Sequence, residues 1–313
     1  MNPKVISVTL NPALDKTITL SKLTPYELNR VRSTRMDPGG KGINVGRVLH
    51  SFGVDVTVTG FIAGRQGEAL LEQLGSSGID CDFLWVEGET RTNYKILDES
   101  VSRITEINEP GFSVEPHYMD SFFEKLDRLS GQAEIVVLSG SLPPGVPMDY
   151  YASCARIAKN RGAKVLLDTG GQTLTEGLKA LPYAVKPNLR ELGTVFHQEF
   201  NNYRQVGEAA KKLIDQGIEI VIASMGPDGA VYANKNEIYK ADSWNIPVKS
   251  TVGAGDAMVA TLAYSILKQD SLHEIARLTT AASTITVSKT GTQFCSFDEV
   301  LASAGKVNVR SLL

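Results

Sequence analysis

The residues best placed to do chemistry lie in one short stretch, Thr251-Val252-Gly253-Ala254-Gly255-Asp256-Ala257-Met258. A polar, extended run from Asn245 to Ser250 precedes it, and an apolar segment with helical character, Ala257 to Lys268, follows. Glycines at such a turn let backbone come close to a ligand. The first N–H groups of a helix have no partner inside it, and the helix dipole adds positive potential there. Gly253, Ala254 and Gly255 therefore offer an anion site built from backbone. Asp256 stands at its edge. A carboxylate in that place is useful if it takes a proton from a hydroxyl that then attacks a bound phosphoryl group. The plainer alternative makes Asp256 a helix N-cap and the glycines a simple turn. A motif this short does not choose between the two.

The elements around it narrow the choice. Asp37-Pro38-Gly39-Gly40-Lys41-Gly42 is a second glycine-rich turn, leading into a helix predicted over Ile43 to Phe52 and presenting Lys41 and Asn44. Val5 to Leu10 reads as a buried strand. It ends in Asn11-Pro12-Ala13-Leu14-Asp15, a turn expected to leave Asp15 at the strand's carboxyl end, where ligands of open α/β sheets gather. Two polar, alternating pairs interrupt the amino-terminal half: Lys16 to Leu20 with Asn29 to Met36, and Arg91 to Asp98 with Arg103 to Asn108. Four such strands can form a small sheet standing over the strand ends as a lid. Its inner face is expected to carry Arg30 and Arg91, with Lys95 as a further candidate, although any one exposed arginine is more often simply solvated. From residue 116 helices and strands alternate regularly, which argues a parallel sheet with helices on both faces. The expected division is a large α/β domain of residues 1–14, 37–89 and 111–313, and a β-sheet lid of residues 15–36 and 90–110.

Composition removes several classes. The chain has 313 residues, 42% hydrophobic and 21% charged, with a formal net charge of −3. That is an ordinary globular balance with no global attraction for nucleic acid. Any cations used to hold phosphate must be local. Cys81, Cys154 and Cys295 show neither a disulfide framework nor metal-ligand spacing, which fits a reducing, cytoplasmic setting. The four histidines lie far apart. Residues Met1 to Leu10 lack an apolar signal core, and no apolar run approaches the ~20 residues that span a membrane. A dinucleotide-dependent oxidoreductase is disfavoured, because Asn11-Pro12-Ala13 follows the first strand where a Gly-x-Gly-x-x-Gly turn belongs.

Several turns at strand ends, in order, carry a resemblance over nearly the whole chain. They are Pro38-Gly39-Gly40-Lys41-Gly42-Ile43-Asn44, Lys186-Pro187-Asn188, Ser224-Met225-Gly226-Pro227-Asp228-Gly229 and Ser250 to Asp256. Together they resemble the PfkB (ribokinase-like) family of sugar kinases. The resemblance implies a ribokinase-like fold, ATP with Mg²⁺, and a cytoplasmic kinase of a small sugar. Within the family the chain most resembles the branch that phosphorylates ketohexose monophosphates, fructose 1-phosphate ahead of tagatose 6-phosphate. The different-class alternative is a non-catalytic sugar-phosphate-binding regulator on the same fold; an intact base and anion turn argue against it.

The resemblance also implies roles. Asp256 matches the general base, and Gly253, Ala254 and Gly255 the γ-phosphate anion hole. Asp15 and Asn44 match positions that hold sugar hydroxyls; Gly39 and Gly40 belong to the same substrate turn, and Lys41 adds positive charge near phosphate. Lys186, Asn188, Ser224, Gly226, Gly229 and Thr251 match the ATP site. Asn188 and Glu191 match an element that arranges Mg²⁺, largely through water, as this ion prefers; on charge alone Glu191 only complements a helix dipole. Arg91, with Arg30 as a weaker candidate, is expected to hold the phosphate already on the sugar. Some phosphosugar kinases of the group carry another arginine before the lid's Pro-Gly turn. Here that segment reads Thr105-Glu106-Ile107-Asn108, a departure that points away from fructose 6-phosphate. The lid is further expected to pair two copies into a homodimer.

Overall fold

The computed structural model describes residues 4–312. Residues 1–3 and 313 of the expected large domain, and with them the start of the Met1–Leu10 segment, lie outside the described residues. In chain order, β1 (Val5–Thr9) is followed by β2 (Ala13–Leu20), β3 (Ser33–Gly39), α1 (Lys41–Ser51), β4 (Val56–Ile62) and α2 (Gly64–Ser76). Then come β5 (Asp80–Cys81), β6 (Leu84–Trp85), β7 (Arg91–Asp98), β8 (Arg103–Asn108), α3 (Pro116–Ser130), β9 (Ile135–Ser139), α4 (Tyr150–Asn160) and β10 (Lys164–Asp168). The last third holds α5 (Gly171–Leu178), β11 (Ala184–Val185), α6 (Leu189–Phe196), α7 (Tyr203–Asp215), β12 (Ile220–Ser224), β13 (Ala230–Ala233), β14 (Ile238–Asp242), α8 (Ala254–Lys268), α9 (Leu272–Val287), α10 (Phe297–Ala304) and β15 (Asn308–Ser311).

The large sheet runs β15-β14-β13-β12-β11-β10-β9-β1-β4-β5, with β6 also beside β4. It is parallel from β5 to β12 and antiparallel beyond. All five residues of β1 are buried, polar Ser7 and Thr9 included. Strands covered on both faces have no solvent side to favour alternation. One face packs under α3, α4 and α7 around Phe122, Tyr151 and Leu213. The other packs under α1, α8, α9 and α10 around Leu49, Tyr232 and Ala260. β1 lies between β9 and β4, so the chain turns to opposite sides on leaving it, and the crevice of an open sheet opens at such a point. Among the described residues no helix is long and apolar enough to cross a membrane.

β2, β3, β7 and β8 form a separate sheet in the order β3-β2-β7-β8. The four strands expected of the small sheet therefore exist, with shifted bounds. β2 begins at Ala13, and Ala13↔Gly39 and Leu14↔Pro38 are paired. Asp15 thus lies inside a strand, not in a turn at the end of β1. Pro38 and Gly39 close β3 instead of forming a loop; as an edge strand, β3 tolerates the missing proline N–H. Asn29, expected to start the second strand, bonds back to Thr24 and Glu27 and closes the 21–32 loop. α1 starts at Lys41 and α8 at Ala254, two and three residues earlier than the apolar pattern suggested, because helix first turns need not be apolar. The helix–strand alternation expected from residue 116 gives way after β12 to the antiparallel strands β13, β14 and β15.

α1 approaches β1 closely because Gly42 has no side chain. A Cβ there would fall 2.7 Å from the carbonyl carbon of Val8. Ser7 Oγ donates to the Gly42 carbonyl (2.7 Å) and fixes the contact. This sets the depth of Lys41 and Asn44. Gly42→Ala is expected to lower unfolding stability by about 1–3 kcal/mol, the usual cost of overpacking, measured by denaturant titration; stability equal to the parent's would refute this account of the helix–strand contact.

Candidate active site

The α8 turn is held from three sides. Gly253 is the N-cap, with φ 79°, a left-handed conformation that favours glycine. A Cβ on it would also lie 3.2 Å from Cζ of Phe294. The incoming segment is fixed by the N–H groups of Lys249 and Ser250, both donating to the Val287 carbonyl, and by Val252 N–H donating to Ser250 Oγ. The helix ladder begins with Ala257 N–H donating to the Gly253 carbonyl. The N–H groups of Ala254, Gly255 and Asp256 precede that ladder and carry the positive end of the helix dipole. Asp256 does not cap the helix. It sits in the first turn, buried, with its Oδ2 accepting from Asn44 Nδ2 at 2.7 Å. The N-cap alternative for Asp256 is thereby corrected.

Burial pushes the Asp256 carboxyl up to about 6. Lys41, Lys186 and the Asn44 bond pull the other way, and Asp168 adds to the rise. Asp168, the last residue of β10, was not among the candidates read from the sequence, yet it is central here. Its Oδ1 meets Lys186 Nζ at 3.2 Å and Lys41 Nζ at 3.3 Å, and its side chain is fully buried. Burial raises Asp168, and the two ammonium groups outweigh that and hold it below the usual carboxylate range. Burial likewise pushes Lys41 down, but Asp168, Asp256 and Glu191 more than reverse it. Lys186 lies directly under the α8 turn: a Cβ on Gly255 would be 3.3 Å from its Nζ.

On one side of the turn is a cavity of about 420 Å³. Its floor includes Gly40, Lys41, Asn44, Thr251, Val252 and Asp256; its wall comes from the small sheet, with Asp15, Arg91, Asn93, Lys95, Glu106 and Asn108. Asp15 is pinned: Oδ1 accepts from Asn93 Nδ2 (3.1 Å) and Oδ2 from Lys95 Nζ (2.5 Å). Gly39 makes room for it, since a Cβ there would lie 2.5 Å from Asp15 Cγ. Arg91 donates to the carbonyls of Asn11 and Glu109, both at 3.0 Å. Its Nε has no partner, and neither do the buried Oδ1 atoms of Asn11, Asn44 and Asn93. Four orphaned polar groups around one cavity suit a ligand rich in hydroxyl and phosphate oxygens. Arg30 is not among the lining residues. It lies exposed in the 21–32 loop, so its assignment to the inner face of the lid is corrected: that face is made by strands, and residue 30 precedes β3. Lys95 does face inward. Asn93 and Lys95 follow Arg91 at steps of two, the strand spacing that shares a face, and that signal was available in the sequence.

On the other side is a more apolar cavity of about 630 Å³. Ser224, Gly226, Gly229 and Thr251 line it, as do Ala254 and Gly255. Trp244, Ile246, Val248, Met258, Thr284 and Val287 also belong to its wall. Apart from Met258, which closes the Thr251–Met258 stretch, these belong to no motif, and their place in a cavity wall had no mark in the sequence. Lys186 and Asn188 do not line it. Lys186 is buried beneath the turn, and Asn188 caps α6 in a reciprocal box with Glu191. Thr251 borders both cavities, so they meet at the α8 turn.

Residues 8–299 match the pfkB family of carbohydrate kinases. The chain is 37% identical to the 1-phosphofructokinase of Rhodobacter capsulatus, over 100% of this chain and 99% of that one. It is 36% identical to the tagatose-6-phosphate kinase of Staphylococcus epidermidis, over 87% and 88%. The crystal structure of phosphofructokinase-2 from Escherichia coli in complex with potassium superposes with a TM-score of 0.92 at 27% identity, covering 97% of this chain and 99% of that one. Sequence and architecture agree on the same assignment: the chain belongs to the pfkB family of carbohydrate kinases.

Proposed function

We propose that the chain transfers the γ-phosphoryl group of ATP to a ketohexose monophosphate, with fructose 1-phosphate as the acceptor. The observation that carries this reading is the buried Asp256 carboxylate beside unpartnered helix N–H groups, where two cavities meet. The apolar cavity takes the nucleotide. The polar cavity takes the sugar phosphate, with its hydroxyls on Asp15 and Asn44 and its phosphate on Arg91. Arg91 is the lining cation that has no carboxylate in hydrogen-bond contact: Lys95 is spent on Asp15, and Lys41 on Asp168.

Asp256 accepts the proton of the attacking hydroxyl as its oxygen bonds to the γ-phosphorus. The bond from that phosphorus to the bridging oxygen breaks, and ADP leaves with the electron pair. The N–H groups of the Gly253–Asp256 turn and the Lys41 ammonium face the charge that develops, a contribution worth ~10²–10³ in rate for one such donor. Mg²⁺ fits the donor set. Glu191 keeps Oε1 clear of the capping box, and Asp168 Oδ2 is buried without a partner. Two carboxylates plus water suit an ion that retains most of its hydration. Once bound it supplies positive charge to the nucleotide phosphates.

The small sheet is the lid of this reading, covering the acceptor and excluding water. Its edges, β3 and β8, are unpaired, and Tyr26, Leu28, Val31, Met36, Val101 and Ile107 are exposed on it and its loops. An apolar surface with open edges suits pairing with a second copy. Sedimentation at micromolar concentration should give a dimer that Ile107→Lys weakens; a monomer at all concentrations removes this element of the proposal.

ATP-dependent turnover on fructose 1-phosphate, tagatose 6-phosphate, fructose 6-phosphate and free fructose tests the whole. The highest kcat/KM is expected for fructose 1-phosphate. Preference for tagatose 6-phosphate corrects the substrate, preference for free fructose removes the Arg91 role, and no turnover with ATP binding intact favours a regulator. Asp256→Asn should cost ~10²–10⁴ in kcat with sugar-phosphate binding retained; near-normal turnover refutes the base. Arg91→Ala should raise KM for the phosphorylated sugar far more than it lowers kcat.

The pH dependence carries a sign. The base must be ionised, so kcat/KM should rise with pH through an acid limb near 6. Asp168→Asn removes the neighbouring negative charge and leaves Lys41 and Lys186 uncompensated, so the limb should move to lower pH. The stabilisation from the raised Asp256 pKa is fully present below the usual carboxylate value, and it is lost as pH rises from there through about 6. Asp256→Asn should therefore raise the melting temperature at pH 8 relative to the parent. An acid limb that Asp168→Asn leaves in place would contradict the assignment of Asp256.

A further inference from the structure

The small sheet touches the α8 turn through an indirect route that uses neither cavity. Arg47 stands on α1, three residues beyond Asn44. Its Nη1 donates to the Pro38 carbonyl of β3 at 3.4 Å, and its guanidinium carbon lies 5.1 Å from the centroid of the Phe294 ring. Phe294 in turn fills the space that a side chain on Gly253 would need, with Cζ 3.2 Å from that Cβ position. A second contact runs in parallel. Arg35 of β3, tied through Nε to Asp37 at 2.7 Å, lies over Gly291, whose Cβ position would be 2.9 Å from the guanidinium carbon. Gly291 and Phe294 share the loop between α9 and α10. The end of α9 also holds the segment before the turn, since the Val287 carbonyl accepts from Lys249 and Ser250.

β3 therefore reaches one loop by two arginines, and that loop braces the N-cap of the catalytic helix. Neither Arg47 nor Phe294 lines either cavity. A planar guanidinium over an aromatic face is a directional contact that lysine reproduces poorly. Gly253 has a left-handed backbone and no side chain, so the ring pressed against it limits where the next three N–H groups point.

We propose that Arg47 and Phe294 are positioning residues: they couple β3 of the small sheet to the α8 anion turn, so that closure over the acceptor sets the turn for phosphoryl transfer. This rests on the kinase reading given above. A change that reaches substrate only through this brace should act on kcat, because binding groups in both cavities stay intact. Misplacement of about 1 Å at a reacting centre costs up to ~10²-fold in rate.

The test is a double-substitution cycle with Arg47→Met, Phe294→Leu, the pair together, and Arg47→Lys. Steady-state kinetics on fructose 1-phosphate with ATP are read beside hydrogen–deuterium exchange of the 252–257 segment in the ligand-free protein. Each single change should lower kcat about tenfold to a hundredfold with KM for the sugar phosphate unchanged. Exchange at 254–256 should quicken in each. The double variant should be no worse than the poorer single, and Arg47→Lys should recover only part of the loss. Additive losses, or loss of kcat that follows the fraction unfolded, would mean the two residues only pack. Should the parent itself not turn over, the kinase reading fails, and exchange alone decides the brace: unchanged exchange in both singles overturns it, and matched, non-additive quickening supports it.

Discussion

One constraint governs the rest: a carboxylate must stay ionisable while buried at the positive end of a helix. Asp256 is withdrawn from water, which raises its pKa, and three groups from elsewhere keep the rise to about 6. Asn44 donates to it from 212 positions away in sequence, and Lys41 and Lys186 supply charge. With the two lysines alone the carboxylate would be a poor base, held too firmly in its ionised form. Asp168 takes up both ammonium groups and restores proton affinity. A base whose pKa lies near the working pH combines correct ionisation with useful driving force. Two strand ends, β10 and β11, and the first turns of two helices are thus committed to the electrostatics of one side chain.

The same arrangement pairs opposite charges around the cavity, with Asp168, Lys186, Asp15 and Lys95 buried and Lys41 partly exposed. Lys41 and Lys186 oppose Asp168 and Asp256, and Lys95 opposes Asp15. Buried ion pairs are weak grounds for stability, because desolvation can exceed the attraction. Their presence here is better explained by what they leave open. Asp168 Oδ2, Asn44 Oδ1, Asn93 Oδ1 and Arg91 Nε are buried without partners. Such groups cost free energy in the empty protein, and a ligand carrying hydroxyl and phosphate oxygens relieves that cost on binding. The burial of β1, β9 and of β10 beyond Lys164 between the two helix layers opposes that cost.

Much of this was legible in the sequence, and the gaps have physical causes. Glycine turns before helices announce themselves, because few other residues permit the backbone they need; both were found, together with Lys41, Asn44 and Asp256. Period-two alternation revealed the four strands of the small sheet. Boundaries failed where polar residues begin a helix, at Lys41 and Ala254, and where Pro38 and Gly39 sit in an edge strand. Asp168 was passed over because an acid ending a buried strand has no local signature; its meaning comes from two lysines distant in sequence. Arg30 was placed on the inner face because the expected strand ran from Asn29 to Met36, whereas that strand begins at Ser33 and the Asn29–Thr24 bonds close the loop that carries Arg30. Trp244 and Val248 were missed because an apolar wall has no pattern beyond being apolar.

The two cavities differ in how they are built, and the difference bears on the chemistry. Every residue lining the apolar cavity belongs to the segment from Ser224 to Val287 and to the large sheet's surroundings. The polar cavity is completed only by the small sheet, through Asp15, Arg91, Asn93, Lys95, Glu106 and Asn108. On the kinase reading the nucleotide has its pocket whether or not the small sheet is in place, while the acceptor meets six of its lining residues on that sheet. An acceptor that must recruit the sheet also brings the wall that keeps water from the phosphoryl group. The Asp256 carboxylate lies at the junction, 6% exposed; on the same reading the small sheet would both hold the sugar and shield that carboxylate from water. On that reading, selectivity for the acceptor and protection against hydrolysis would be two effects of one sheet lying over one turn.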